Sequence, residues 1–499
     1  MSRWNLAWLL GITLAAVAGI SLTYSAPLRL TSVQKKHENL KLIVDVLEEV
    51  QKRYVRELDQ EKSRELIEAM INGGLEKLDP HSAFIGAEEY KQFRQSTRGK
   101  FGGVGIRLGI DPRSGGFLVE SPMAGTPAYE AGVMAGDLIV KIDGASILDW
   151  NLKKVVDHIQ GDPGTDVTLS VLHEGGKQPV DLKMTRAEIK IESVMGDQRD
   201  KIDLKKWDFW VDPGSKIAYV RVNAFTETTV EELTRVVDGL QKTGMRGLVV
   251  DLRNNPGGLL RAAVDVTSMF IQDGKSVVTT KGRGNTIDEN FISKLRSNMK
   301  PGTYYPMAVL INRYSASASE IVAAALQDHL RAIIVGERSF GKGSVQNLIE
   351  MEDSQTALKL TTASYWRPSG RNIHRFPDSK DTDEWGVKPS KGYDVKLTDE
   401  ERLEYFKWRR DRDIVRRPDQ PAKAEPNGDK KPAKEFSDRV MDKALEYIRA
   451  ELAKQARQDA APAPLANPHA HADEPRPATS SRRELFVEVK DRSYRNIVR

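Results

Sequence analysis

The segment Ser315-Ala316-Ser317-Ala318-Ser319-Glu320-Ile321, followed by Phe340-Gly341-Lys342-Gly343-Ser344-Val345-Gln346, decides the reading of this chain. Between the two lies an apolar set at helical spacing, Ile321, Val322, Ala325, Leu326 and Leu330, and then a β-like run, Ile333-Ile334-Val335. The pattern predicts a helix and a strand with a serine cluster at the start and a lysine between glycines just past the end. Ser317 and Glu320 fit a capping box, with Ser317 as helix N-cap and Glu320 at the third helical position. A serine at that place lies beside backbone N–H groups that the helix leaves unpaired.

Working outward, strands and helices alternate upstream. Ile217–Val222 reads as a strand, Val230 to Leu240 as a helix, Gly247–Leu252 as a buried strand, Leu259–Ile271 as a helix, and Val277–Thr280 and Met307–Ile311 as strands. This order predicts a layered α/β core over residues 187–405. Residues 187–215, with Trp207 and Trp210, read as a polar connection without evident chemistry. Before it, residues 98–186 change to glycine-punctuated strands. There Gly103-Val104-Gly105-Ile106, the run Ser121-Pro122-Met123-Ala124-Gly125-Thr126-Pro127-Ala128 and Gly136-Asp137-Leu138-Ile139 resemble a PDZ domain. Glycines at 103 and 105 would let backbone N–H groups approach a terminal carboxylate, and the next strand edge could pair with a peptide.

The flanks carry less chemistry. Leu40, Ile43, Val44, Leu47, Val50 and Tyr54, then Leu66, Ile67, Met70, Ile71, Leu75 and Leu78, recur at helical spacing within an N-terminal helical region, 36–95. These helices either pack on the next domain or serve dimerisation, and Asp79-Pro80-His81-Ser82 stops the second. Residues 406–435 read as a charged, proline-rich linker, 436–456 as an amphipathic helix with Val440, Leu445, Ile448 and Leu452, and 457–499 as a disordered tail. Within that tail Leu485-Phe486-Val487 reads as a frayed end more than a docking tag. Residues 1–26 form a signal peptide or a membrane anchor, because Trp4 to Pro27 carries no charge and Leu6–Leu22 is mainly apolar.

A chain of 499 residues implies several domains, and a net charge of +5 without a long basic block in the central region gives no nucleic-acid signature. The absence of cysteine excludes disulfides, thiolate metal sites and a cysteine nucleophile. Three chemistries compete for the opening segment. Gly336 to Lys342 copies a phosphate-loop skeleton, but Gly343 stands where the magnesium-binding hydroxyl belongs and a β-like run follows instead of a helix. A Ser-His-Asp hydrolase lacks the G-x-S-x-G turn, and His329, about three helical turns from Ser317, cannot reach it; His81 and His374 are the other histidines in places both ordered and plausible for such a role. A Ser-Lys dyad needs a lysine whose charge is disfavoured by burial, and Lys342 beside Phe340 could meet that need, although composition alone favours a solvated loop lysine.

Asp251-Leu252-Arg253-Asn254-Asn255-Pro256-Gly257-Gly258, the Ser317 segment and the Lys342 segment together resemble the carboxyl-terminal processing (tail-specific) serine proteases. The resemblance spans about residues 40 to 400, including Leu78-Asp79-Pro80-His81-Ser82 and Trp366-Arg367-Pro368-Ser369-Gly370-Arg371. It implies a multi-domain α+β protein: a helical N-terminal region, a PDZ domain with Gly103, Val104, Gly105 and Ile106 at the peptide, and a crotonase/Clp-like core. It further implies Ser317 as nucleophile, Lys342 as base, Gln346 orienting the amine, and the N–H groups of Gly257 and Ala318 as oxyanion hole. No metal or other cofactor is implied. The expected partners are proteins or peptides with free C-termini, a membrane through the N-terminal segment, and further copies through the N- or C-terminal helices. The expected setting is periplasmic or otherwise extracytoplasmic. A non-catalytic PDZ-bearing scaffold is the alternative.

Overall fold

The computed structural model describes residues 32–294, 305–352, 354–416 and 436–460. The N-terminal segment 1–26 and residues 461–499 of the expected tail lie outside these. No helix among the described residues is long and apolar enough to cross a membrane.

The core is a sheet whose strands Ile217–Val222, Gly247–Asp251, Met307–Ile311 and Ile333–Gly336 are parallel neighbours in that order. Short antiparallel pieces, Val194–Met195 and Trp210–Asp212, pair with the first. Alternation along each strand divides the side chains between two faces. Ala218, Val220, Val222, Leu248, Val250, Met307, Val309 and Ile311 pack with the helices Thr229–Lys242, Leu260–Ser268 and Ala318–Asp328. Ile217, Tyr219, Val249, Ala308, Leu310 and Val335 face the opposite way. Burial on both faces explains why these strands are continuous apolar runs.

The opposite face is covered by the C-terminal helix, Arg439–Ala460, through Val440, Met441, Ala444, Leu445, Ile448 and Leu452. Its apolar stripe is therefore spent on its own core. The helix also runs past the expected end at 456. A β-carbon at Gly247 would lie 2.4 Å from Ile448 Cγ2, so a glycine in the second strand makes the seat for that isoleucine. Before the described residues break off at 416, a helix spans Asp399–Asp413 where the linker was expected from 406. Thr398 and Glu401 cap it, but only Tyr405 and Arg409 are buried, so its apolar signal is almost absent.

A second, antiparallel sheet adjoins the core. The long strand Thr356–Trp366 pairs with Ser344–Met351, Ala83–Ile85 and Ser276–Lys281, and Ile287–Ile292 extends the last. The PDZ region is a sheet with Ile106–Ile110 as an end strand, followed by Phe117–Pro122, Leu138–Ile142, Asp166–Leu172 and Val180–Thr185. The amphipathic helix Leu152–Ile159 packs on it through Val155 and Ile159. N-terminal to it stand helices Ser32–Arg53, Gln60–Leu75 and Ala87–Arg98, the third not foreseen in the sequence.

Truncating Ile448 to Ala is expected to cost about 2–5 kcal/mol of stability, because it removes a fully buried side chain from a glycine-lined seat. Denaturant unfolding measures it; an unchanged midpoint would mean the helix contributes nothing to the folded core.

Candidate active site

Ser317 sits where the strand Met307–Ile311 turns into the helix Ala318–Asp328, with φ 55° and ψ −114°. A serine rarely adopts that conformation, which costs about 1–3 kcal/mol and persists only where the surroundings impose it. The imposing contacts are specific. Ser315 Oγ donates to the Leu252 carbonyl at 2.8 Å, the Ala316 N–H to the Asn255 carbonyl at 3.0 Å, and Ser319 Oγ to the same carbonyl at 3.0 Å. Asn254 and Asn312 exchange two bonds, 3.0 and 2.8 Å, and Asn254 takes a positive φ of 61°. The Asn-Asn-Pro-Gly-Gly turn and the serine segment are thus stitched into one surface.

Within that turn Gly257 lies against the serine. A β-carbon there would be 2.8 Å from Ser317 Cβ and 3.0 Å from the Ala318 nitrogen, and the φ of 106° favours glycine as well. Its N–H, however, donates to Asn255 Oδ1 at 2.8 Å. Gly257 is in place beside Ala318, but its donor is engaged in this arrangement. The Ala318 N–H belongs to the first turn of the helix, where no preceding helical carbonyl can accept it.

The junction between serine and lysine is Glu320, a residue that the sequence suggests only as a helix cap. Its fully buried carboxylate accepts from the Ser317 N–H at 2.8 Å, Ser339 Oγ at 2.6 Å, the Gly341 N–H at 2.6 Å and the Lys342 N–H at 2.8 Å. Burial lifts its pKa to about 7 against these four donors, each of which favours the ionised form. The Ser-x-x-Glu spacing signals the first bond. Nothing local signals the other three.

Lys342 is partly buried, and its Nζ makes no hydrogen bond or ion pair among the described residues. Burial chiefly, then the charge of Lys359, pushes its pKa below the ordinary 10.5, while Glu320 pulls the other way. Gln346 does not bond to Lys342 here. Its Nε2 donates to Ser344 Oγ at 2.9 Å and Thr361 Oγ1 at 3.2 Å. Of the three candidate histidines, His329 is bonded to the Ser276 carbonyl, 2.7 Å, at the far end of the helix. His81 feels the charge of Lys342, and a β-carbon at Gly343 would touch the His374 main-chain nitrogen at 2.2 Å. Both therefore border the lysine loop, and neither hydrogen-bonds to Ser317.

In the PDZ region Gly103 belongs to a strand pairing with Ala187, and Val104 is buried in the domain's own core, so neither side presents an open side-chain contact. The Val104 and Gly105 carbonyls accept from the Ala128 and Met123 N–H groups, both at 2.9 Å. Gly105, at φ 82°, leaves no room for a β-carbon beside Thr126. Ile106 begins the end strand of its sheet, whose outer edge is unpaired by any described strand.

A peptidase family S41 model matches residues 216–388, and a PDZ domain model matches 118–172. A carboxy-terminal-processing protease of Bartonella bacilliformis is 39% identical over 408 residues, covering 80% of this chain and 88% of that one. The carboxy-terminal processing protease CtpA of Bacillus subtilis is 32% identical over 360 residues, 72% of this chain and 69% of its own. A solved photosystem II D1 C-terminal processing protease aligns at 29% identity over 71% of this chain and 86% of that chain, with a TM-score of 0.38. With 39% and 32% identity to the Bartonella and Bacillus enzymes over 80% and 72% of its length, this chain belongs to the S41 peptidases and is a serine-type carboxy-terminal processing protease with a PDZ domain.

Proposed function

We propose that catalysis runs through a Ser317–Lys342 dyad and that the PDZ domain captures the substrate's C-terminal tail. The observation that carries the dyad is the Glu320 carboxylate, which holds the backbone of both residues at once while leaving the lysine amine unpaired. In this reading neutral Lys342 takes the Ser317 hydroxyl proton as Oγ attacks the scissile carbonyl. The carbonyl oxygen becomes an oxyanion facing the Ala318 N–H and, once its bond to Asn255 opens, the Gly257 N–H. Collapse breaks the C–N bond, and the lysine ammonium returns its proton to the leaving amine. Water then attacks the acyl carbonyl as Lys342 takes its proton, and the C–Oγ bond breaks as the ammonium returns that proton to Ser317 Oγ, freeing the acid and the enzyme. Gln346 steadies the amine through its carbonyl oxygen.

The unpaired edge at Ile106–Ile110 and the close-packed Gly105 turn support tail capture by strand addition, with the terminal carboxylate at the Gly103–Ile106 loop. The consecutive parallel strands support the crotonase/Clp-like reading of the core. The uncharged run Trp4–Pro27 supports an extracytoplasmic enzyme, exported or membrane-anchored. Leu40, Leu42, Ile43 and Val44, all exposed, support self-association through the N-terminal helices, whereas the C-terminal helix has no free apolar face.

Ser317→Ala and Lys342→Ala are each expected to abolish cleavage of an unstructured peptide with unchanged thermal unfolding. Lys342→Arg is expected to be equally inactive, since a guanidinium does not give up its proton; full turnover by either lysine variant removes the dyad. The pH profile has a defined sign. The base works neutral, so kcat/KM rises as pH climbs through the pKa of Lys342, and this limb lies below the ordinary lysine value of 10.5. A rate independent of pH up to 10.5 and beyond would contradict it. Amidating the substrate's C-terminus is expected to lower kcat/KM by about tenfold or more, by deleting one charge-assisted contact. Equal rates for acid and amide would remove carboxylate capture.

A further inference from the structure

Asp79-Pro80-His81-Ser82 stops a helix, and no step of the dyad mechanism uses it. In the structure this turn closes on the site from the N-terminal side. The Asp79 carboxylate accepts from the His81 N–H at 2.7 Å, the Ser82 N–H at 2.9 Å, Ser82 Oγ at 2.6 Å and Thr361 Oγ1 at 3.0 Å. Ser82 Oγ accepts in turn from the Thr361 N–H at 3.0 Å. Both the backbone and the side chain of Thr361 are thereby fixed by the turn.

Thr361 is also the cross-strand partner of Gln346. The pair stands at a register shift between Val345 and Gln346, where the strand Thr356–Trp366 carries one extra residue. Such a bulge re-aims the side chains beside it. Here it brings Gln346 Nε2 to 3.2 Å from Thr361 Oγ1.

The direction of these bonds matters more than their number. An ionised carboxylate only accepts, so the single hydroxyl proton of Thr361 is committed to Asp79. Thr361 Oγ1 can then offer Gln346 only lone pairs. Gln346 must present its NH2 to it, and to Ser344 Oγ at 2.9 Å. A flipped amide would set Oε1 against an oxygen whose proton is already given away. The amide carbonyl oxygen is therefore left as the free acceptor of Gln346. The turn itself lies by the lysine: the charged or titratable groups around His81 are Lys342, Asp79, His374 and Lys359.

We propose that Asp79 and Thr361 are positioning residues, which through the chain Asp79–Thr361–Gln346 hold the Gln346 amide with its carbonyl oxygen free to accept from the amine of Lys342. This rests on the dyad reading. An acceptor for the ammonium favours the charged lysine, so losing it lowers the lysine's pKa and leaves the amine less well aimed.

The test compares Thr361→Val, which keeps the β-branched shape and removes the hydroxyl, with Thr361→Ser, which restores it, and Asp79→Asn, which lets position 79 donate and so releases the Thr361 proton. Each is made in the wild-type and Gln346→Leu backgrounds, with kcat, KM and thermal unfolding measured across pH. Thr361→Val is expected to lower kcat about tenfold with little change in KM, and to move the acidic limb of kcat to lower pH. Thr361→Ser recovers the wild-type profile, and Asp79→Asn falls between. In the Gln346→Leu background Thr361→Val adds nothing further. Wild-type kcat in Thr361→Val, or the same loss with and without Gln346, overturns the proposal. If Thr361→Val does not fold, Asp79→Asn alone decides by the same criterion. Activity in Lys342→Ala would instead sink the dyad reading, so the two failures are told apart.

Discussion

A single buried carboxylate holds this site together. Glu320 receives three backbone N–H groups and one hydroxyl, and these come from both sides of the chemistry: Ser317 from the helix start, and Ser339, Gly341 and Lys342 from the loop after the next strand. Withdrawing a carboxylate from water is costly, and its elevated pKa of about 7 reflects that. The cost is offset because the donors would otherwise be buried without partners, at about 1–3 kcal/mol each. The arrangement is rigid for the same reason. Neither the serine turn nor the lysine loop can shift without orphaning groups on both.

That constraint explains how a strained serine is tolerated. Its positive φ is held from below by the Asn255 carbonyl, which receives Ala316 and Ser319, and from the side by the paired Asn254 and Asn312. The Asn-Asn turn is anchored in turn. Arg253, just before it, is almost wholly buried between Asp251 and Asp438, with bonds of 2.7 to 3.0 Å, and stacks on Tyr405. Loss of the guanidinium would strand two buried carboxylates, so Asp438, the residue immediately before the C-terminal helix, ties the start of that helix to the geometry near the serine. The sheet interior lies between, packed on both faces and unable to yield.

The α/β core was legible because its strands, buried on both sides, are apolar without interruption and its helices carry the 3.6 period. The serine, the lysine and the glycine turn were legible as motifs. What escaped depends on contacts across the chain. The capping role of Glu320 is written in a three-residue spacing, but its bonds to the lysine loop span up to 22 residues, and Asp79 meets Thr361 across 282. Neither pairing leaves a periodic trace. The helix Asp399–Asp413 hid for another reason: it holds its place by charge, Arg409 and Asp413 pairing with each other and Asp413 with Arg221, so the hydrophobic pattern that reveals helices is missing. In the PDZ loop, Val104 reads as a ligand contact by position, yet its side chain is needed by the domain's own core.

Glu320 also bears on the question that the proposed lysine base raises, which is why an acid so close does not simply pair with it. A salt bridge would keep the ammonium charged and end its use as a base. The geometry avoids this by filling the carboxylate first. Its oxygens are occupied by Ser317, Ser339, Gly341 and the backbone N–H of Lys342 itself, and the lysine's Nζ is not among the donors. The residual attraction raises the lysine's proton affinity, but burial and the neighbouring positive charge of Lys359 outweigh it. The same acid can therefore fix the position of the proposed base without fixing its charge. A carboxylate supplied with neutral donors, here three main-chain N–H groups and one hydroxyl, does both, because those donors carry no charge of their own.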